Sequence, residues 1–493
     1  MIREYYENIK KGTEVRKNLI ALRSAGKEAG DQKALAELLE GDFTLLTGLL
    51  ENTDPKVRKN AALILGEIES EALLPVLFDA YQKETTLYIR TDYLKAISNL
   101  DYRPVLEQLR KRAGWLRETE VPAEEQKHIS EEIHVLQEML LKYEKPEKHR
   151  FCGYREKRAL LLVTNRCQRE ATARQLPGGR ITMLAGGLRV EGLPVEKVLP
   201  VRTYHELLFW LEAGELRIDS PADTGIRLAP AVLAFMQELH DGQPPFAFRI
   251  ELKGRFAPEK KGSYIRKIAD ALEKASGGKL VNSVAEYELE IRLLERKDGT
   301  FAPMIKLFTI PQQRFAYRKE FVAASIAPVN AALVAELAKP WLKEGAQVLD
   351  PFCGVGTMLI ERSKAVPAGT MYGIDLFGEA IEKARENTKR AGERVYYINK
   401  DFFAFEHGYL FDEIITDMPQ AAGKEQAGLR GLYRAFFEKA GEHLKADGVM
   451  VLYSTEPGLV SDMLGANRIY RLEKRFVLNE KNKTTVFVIR RTC

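Results

Sequence analysis

A strand that runs into a glycine turn, followed by further strands that each end in an acid, leaves a chain few ways to fold. Val348–Glu361 reads VLDPFCGVGTMLIE: a short strand, Asp350 and Pro351 at its tip, Gly354 and Gly356 around a tight turn, and a helix beginning near Thr357. Glycine permits positive φ and lets the backbone come close to a ligand. Downstream, the strands TMYGID, VYYINKD, FDEIITD and GVMVLYS alternate with helical segments, and RLEKRFVL and TTVFVIRR close the chain as an antiparallel pair. Parallel strands joined by helical crossovers predict a doubly wound α/β sheet. The terminal hairpin separates this arrangement from the dinucleotide-binding one.

The turn itself narrows the ligand. It holds a GxG without the third glycine of the dinucleotide spacing and without a Walker lysine, so it is a poor phosphate cradle. A cofactor that lacks phosphates and ends in a methionine-derived tail fits better. The expectation is a class I (Rossmann-like) methyltransferase domain over 341–493 that binds S-adenosyl-L-methionine, with Asp350, Pro351, Phe352, Gly354, Gly356 and Thr357 around the turn. Asp375, followed by Leu376, ends the second strand where an acid can accept both ribose hydroxyls. Asp401 at the third strand end can accept from the adenine amino group, with Phe402 or Phe403 beside the ring. Three strand ends carrying these residues in this order make a far stronger signal than a lone GxG. Cys353 reads as a small packing residue, because methyl transfer to an amine needs no covalent enzyme intermediate.

The fourth strand ends in IITDMPQAAGK, which places Asp417, Pro419 and Gln420 on the substrate side. An exocyclic amino group is a weak nucleophile because its lone pair is delocalised into the ring. A carboxylate that accepts its hydrogens aligns that lone pair, so the gain comes from orientation and electrostatics. Asp and Pro also favour plain strand-ending turns; the cofactor motifs beside them tip the reading towards catalysis. Amino-methylating enzymes carry an aromatic where Gln420 stands. Glutamine does not stack as tyrosine does, although it can hydrogen-bond a base edge.

The rest of the chain changes character twice. Residues 1–145 read as amphipathic helices with an internal echo: VRKN at Val15–Asn18 returns at Val57–Asn60 inside DPKVRKNAALILGEI, and LYIRTDYLKAISNL repeats the pattern more loosely. Asp-Pro-x-Val-Arg opening a helix is similar to HEAT-type repeats, so a short α-solenoid that binds a protein partner or packs on its own enzyme is expected. A polar linker follows EEQKHISEEIHVLQEMLLKYEKPEKH. Residues 150–310 show α+β patterning, with strands in ALLLVTN, ITMLAGGLRV, FAFRIELKGRF and YELEIRLLE and a helix in SYIRKIADALEKASG. Lys253, Arg255, Lys260 and Lys261 cluster there as candidate phosphate contacts. A net charge of +5 is compatible with a polyanionic partner. Four scattered cysteines without a CxxC pair predict neither a zinc site nor a disulfide framework, and no metal is expected. The N-terminus lacks an apolar signal core, and no run is long enough to span a membrane, so a cytoplasmic enzyme without membrane contact is expected.

Taken together, DPFCGVGTMLIE, YGIDL, INKDFF and TDMPQ resemble the THUMP-associated RNA guanine-N2 methyltransferases, with support from RFAYRKEFVAASIAPVNAALVAELA at Arg314–Ala338 and from the YELEIRL strand. The resemblance covers about 150–493 and is carried mostly by the last third. It implies that 150–310 is a THUMP-like RNA-binding region, that 311–340 is a linker helix, and that a folded RNA, tRNA above all, presents one guanine to the site. It also makes Arg314 and Arg318 candidate phosphate contacts. Asp417 and Pro419 match the family's fourth-strand motif and Gln420 departs from it. The helical repeats lie outside the family pattern. Two other readings compete: a degenerate methyltransferase serving as an RNA- or protein-binding module, and a methyltransferase for rRNA, DNA adenine or protein.

Overall fold

A computed structural model describes residues 2–28, 41–118, 122, 125–143, 148–217, 219–255, 258–283, 285–323, 325–420 and 426–492. The chain divides into two compact units, Met1–Glu147 and Lys148–Cys493.

The first unit is helical throughout its described residues. Its clearest repeat helix is Pro55–Glu67: the Asp54 side chain caps it by accepting from the Lys56 amide at 2.8 Å, and Pro55 occupies the first turn. The arginines of the repeat signature hold the connections between helices. Arg58 donates to both oxygens of Glu84 at 2.8 Å and to the Asn52 carbonyl. Arg90, its counterpart in the looser copy, reaches the Glu84 carbonyl at 2.6 Å and the buried Glu132. Gly66 lets Pro55–Glu67 press against Leu87–Ile97, since a Cβ there would stand 2.5 Å from Ala96 Cα. The charged stretch expected after Glu124 is the helix Gln126–Tyr143, and most of the linker behind it (144–147) lies outside the described residues.

The second unit holds two sheets. Nine strands make the first: β1 (Leu160–Thr164), β2 (Arg180–Leu184), β3 (Gly187–Glu191), β4 (Tyr204–Trp210), β5 (Leu216–Arg217), β6 (Phe246–Lys253), β7 (Leu280–Asn282), β8 (Leu289–Glu295) and β9 (Thr300–Leu307). Their order is β2-β3-β1-β4-β9-β8-β6-β7, with β5 on β9. The helices Pro221–Leu239 and Pro258–Ala275 pack against one another and on this sheet. ITMLAGGLRV, which reads as one strand, is the hairpin β2–β3 folded at Ala185-Gly186. β4, β5, β7 and β9 lack a period-2 signal. β9 is buried along nearly all its length and contains Pro303, which sequence logic demotes from a strand. The Pro303 carbonyl still joins the sheet's hydrogen bonding, accepting from the Leu211 amide at 3.1 Å.

The second sheet comprises β10 (Gln347–Asp350), β11 (Thr370–Asp375), β12 (Tyr396–Asn399), β13 (Phe411–Asp417), β14 (Leu444–Ser454), β15 (Tyr470–Val477) and β16 (Thr485–Arg491). The order is β12-β11-β10-β13-β14-β16-β15, parallel from β12 to β14, with β16 antiparallel to both its neighbours. The strand order reverses beside β10, so a crevice opens at the carboxyl ends of β10, β11 and β13. Beneath the sheet, Arg362 and Glu413 are fully buried and paired through two hydrogen bonds of 2.7 and 2.8 Å.

Candidate active site

Four strand ends converge on the crevice. Asp350 ends β10 and is buried; Thr416 Oγ1 donates to its Oδ1 at 2.6 Å and the Phe352 amide at 3.2 Å. Burial pushes its carboxyl up to about 7, against these two hydrogen bonds. Beyond it the chain turns through Gly354 at φ +51° and Gly356 at φ +80° into the helix Thr357–Ala365. A Cβ on Gly354 meets nothing within 4 Å, whereas one on Gly356 would stand 2.1 Å from the Tyr397 hydroxyl. The turn therefore has an open side and a packed side. Cys353 sits buried inside it, its thiol pushed well up by that burial, which suits packing and not nucleophilic chemistry.

Asp375 at the tip of β11 ties the turn to the next strand. Its Oδ2 accepts from the Gly354 amide at 2.8 Å and its Oδ1 from the Phe377 amide at 2.9 Å. Leu376 and Phe377 behind it are about two-thirds to three-quarters exposed, which is unusual for large apolar side chains. Asp401, just past β12, caps a short turn by accepting from the Phe403 amide at 3.0 Å. Phe402 is turned into the core against Phe352 and Phe436, so of the two neighbouring phenylalanines the partly buried Phe403 is the more accessible.

Asp417 ends β13. Its Oδ1 is buried and has no hydrogen-bond partner among the described residues, and burial raises its carboxyl to about 7. Met418 turns into the core. Pro419 is held from behind by the Tyr433 hydroxyl, which donates to its carbonyl at 3.3 Å and also pairs with Ser454. Gln420 is exposed, and the residues after it (421–425) lie outside the described part of the chain. Tyr453 lies opposite Asp417 in the β13–β14 register. The strand-end acids and the turn thus lie along the same edge of the sheet, with an orphaned carboxylate oxygen among the described residues at the end of β13.

The basic residues divide. Lys253, Arg255 and Lys260 are exposed and Lys261 partly so, although Lys253 and Lys261 both pair with Glu251. Arg314 and Arg318 point inward. Arg314 lies over the Tyr204 ring at 3.6 Å and donates to the Val201 and Tyr204 carbonyls. Arg318 Nε donates to Thr357 Oγ1 at 2.8 Å. Next to them stands a group whose role no motif announces: Glu361, on the helix after the turn, is buried and accepts from Tyr317 Oη at 2.6 Å and from Arg202 Nε and Nη2 at 2.8 and 2.7 Å.

Residues 316–484 match a family model described as RMKL-like, methyltransferase domain, and residues 40–114 match a model of HEAT repeats. The chain is 30% identical over 177 residues to the tRNA (guanine(10)-N2)-dimethyltransferase of Methanothermobacter thermautotrophicus, covering 34% of this chain and 48% of that protein. It thus spans about half the length of that relative. It is 25% identical over 293 residues to the tRNA (guanine(6)-N2)-methyltransferase of Thermus thermophilus, covering 58% of this chain and 84% of that one. A stretch of 90 residues is 37% identical to a U6 snRNA (guanine-N(2))-methyltransferase of Bos taurus, covering 18% of this chain and 17% of that one. In fold, the chain is similar to the crystal structure of TrmN from Thermus thermophilus, with a TM-score of 0.54 and 23% identity over 68% of this chain and 99% of that one.

Proposed function

Starting from the match of residues 316–484 to the RMKL-like methyltransferase domain, we propose that this chain methylates the N2 amino group of a guanine in tRNA. The observation that carries the reading is the buried, partnerless Asp417 oxygen at the end of β13, in the same crevice as the Gly354–Gly356 turn. The three named relatives share guanine N2 as their target and differ in the RNA they modify.

The residues present suit S-adenosylmethionine. The turn is open at Gly354 and its sequence carries no Walker lysine for a phosphate, and Asp375 and Asp401 stand at the two neighbouring strand ends for ribose hydroxyls and the adenine amino group. Asp350, Pro351, Phe352, Gly354, Gly356 and Thr357 shape the turn, while Leu376 and Phe403 supply apolar surface. The cofactor supplies an electrophilic methyl carbon on a sulfonium.

Asp417 does the orienting. Ionised, it accepts a hydrogen from the guanine amino group and turns the nitrogen lone pair towards the methyl carbon. It then takes the proton that the alkylated nitrogen sheds. Pro419, pinned through its carbonyl by Tyr433, fixes the direction in which the chain leaves the site. Gln420, exposed just beyond, hydrogen-bonds a base edge in this reading. The nucleotide must leave its stack to reach this depth.

The same reading divides the chain into a HEAT-like region (1–145), a THUMP-like RNA-binding region (150–310), a linker (311–340) and the catalytic domain (341–493). Lys253, Arg255, Lys260 and Lys261 are the phosphate contacts of the second region. The helical repeats extend the RNA footprint or hold a protein partner. No helix among the described residues is long and apolar enough to cross a membrane. The test is transfer of labelled methyl from S-adenosylmethionine to undermodified total tRNA, with Asp417→Ala as control and nucleoside analysis to identify the base. Label that survives in the control, or that sits on another atom, contradicts the assignment.

A further inference from the structure

Arginines drawn out of water in the second unit are generally matched by carboxylates. Arg202 holds Glu361, Arg292 holds Glu206 and Glu290, and Arg362 holds Glu413. Arg318 is different. It is half-buried, and among the described residues its donors meet only neutral oxygens: Thr357 Oγ1 at 2.8 Å, the Glu320 carbonyl at 2.5 Å and the Ile326 carbonyl at 3.5 Å. The neighbouring Glu320 carboxylate is turned to Arg390 instead. Arg314 also lacks a carboxylate, but it is locked on backbone carbonyls and the Tyr204 ring within the first sheet's region. Arg318 touches the first residue after the Gly354–Gly356 turn.

Removing a guanidinium from water without a counter-ion is costly, and burial disfavours the charge of Arg318 accordingly. A carboxylate delivered to this spot restores the balance. S-adenosylmethionine carries one carboxylate, at the end of its methionine tail. In the proposed binding mode Asp375 and Asp401 serve the ribose and the adenine, which leaves that tail to the Gly354–Thr357 end of the crevice. The 3.5 Å contact from Nη2 to Ile326 is the weakest of the three and the easiest to exchange.

We propose that Arg318 is the counter-ion of the cofactor's methionine carboxylate, a cofactor clamp and not an RNA phosphate contact. The proposal rests on the S-adenosylmethionine reading of the crevice. Its test is calorimetric binding of two ligands, S-adenosylhomocysteine, which has the amino-acid tail, and 5′-methylthioadenosine, which lacks it. The proteins are the unsubstituted chain, Arg318→Gln and Arg318→Lys, each checked by thermal melting.

Loss of one charge-assisted contact predicts that Arg318→Gln binds S-adenosylhomocysteine about 10- to 100-fold more weakly and methylthioadenosine unchanged. Arg318→Lys should recover part of the loss. Equal weakening of both ligands, or of neither, in whichever variant melts like the parent overturns the clamp. An unsubstituted chain that binds neither ligand overturns the cofactor reading itself, so the two failures are told apart.

Discussion

The Tyr317 hydroxyl donates to Glu361 Oε1 at 2.6 Å, and the same carboxylate takes two hydrogen bonds from Arg202. Three stretches far apart in sequence meet at one buried carboxylate: the first sheet's region through Arg202, the segment between the sheets through Tyr317, and the helix after the Gly354–Gly356 turn through Glu361. Removing the anion strands a guanidinium and a buried hydroxyl. Glu361→Ala should therefore destabilise the second unit by about 3–5 kcal/mol, and Glu361→Gln by less, because an amide still accepts. Denaturant midpoints check this. A midpoint unmoved by Glu361→Ala contradicts the assigned role of the pair.

Asp417 predicts a pH dependence. Its carboxyl is raised to about 7 by burial, and only the ionised form can take up the proton that the methylated amino group sheds. Single-turnover methyl transfer should rise between about pH 6 and 8 and level off above, and Asp417→Asn should lose that limb along with most of the rate. A profile flat across this range argues against an ionised Asp417 as the acceptor.

The same shift carries a stability consequence of definite sign. A carboxyl whose folded value is raised holds its proton more tightly in the folded state. That contribution is present below the unfolded value near 4 and is lost as pH rises through about 7. Asp417→Asn should thus be more stable than the parent by up to roughly 2–4 kcal/mol at pH 8, with the advantage vanishing near pH 4. Asp350 titrates in the same range, so the comparison is variant against parent and not one pH against another.

The two turn glycines should respond differently to alanine. Both need positive φ, a strain of about 1 kcal/mol or more for alanine. Gly356→Ala also drives a Cβ to 2.1 Å from the Tyr397 hydroxyl, so the turn must move and cofactor affinity should fall sharply. Gly354→Ala has free space and should keep the fold, with a smaller loss of affinity. Melting curves and cofactor titration on the pair test the contrast; equal effects contradict it.

In the first unit, Gly66→Ala places a Cβ 2.5–2.7 Å from Ala96 and should separate the helices Pro55–Glu67 and Leu87–Ile97 at a cost of about 1–3 kcal/mol. Hydrogen exchange in those two helices reads it. Unchanged protection contradicts the close crossing.

What the sequence made legible follows the kind of signal involved. The strands of the second sheet announce themselves through short apolar runs ending in acids and turns, and they lie within a few residues of where the pattern puts them. The HEAT signature is carried by Asp54, Pro55 and Arg58, whose local roles recur in many helices. The first sheet was harder. Strands such as Thr300–Leu307 are buried on both faces, which erases alternation. Arg314 and Arg318 read as surface cations because charge is visible in sequence and the direction of a side chain is not. Glu361 and Thr416 lie inside the quoted motifs, but nothing in the sequence assigns their roles. Each matters only through a partner brought near by the fold: Arg202 lies 159 residues from Glu361, and Asp350 lies 66 from Thr416.

The most direct measurement is nucleoside analysis of tRNA after incubation with labelled S-adenosylmethionine and either the parent chain or Asp417→Ala. N2-methylguanosine formed by the parent and absent with the variant is the predicted result. Label confined to another base, or equal labelling by both proteins, would contradict the assignment of guanine N2 and of Asp417 together.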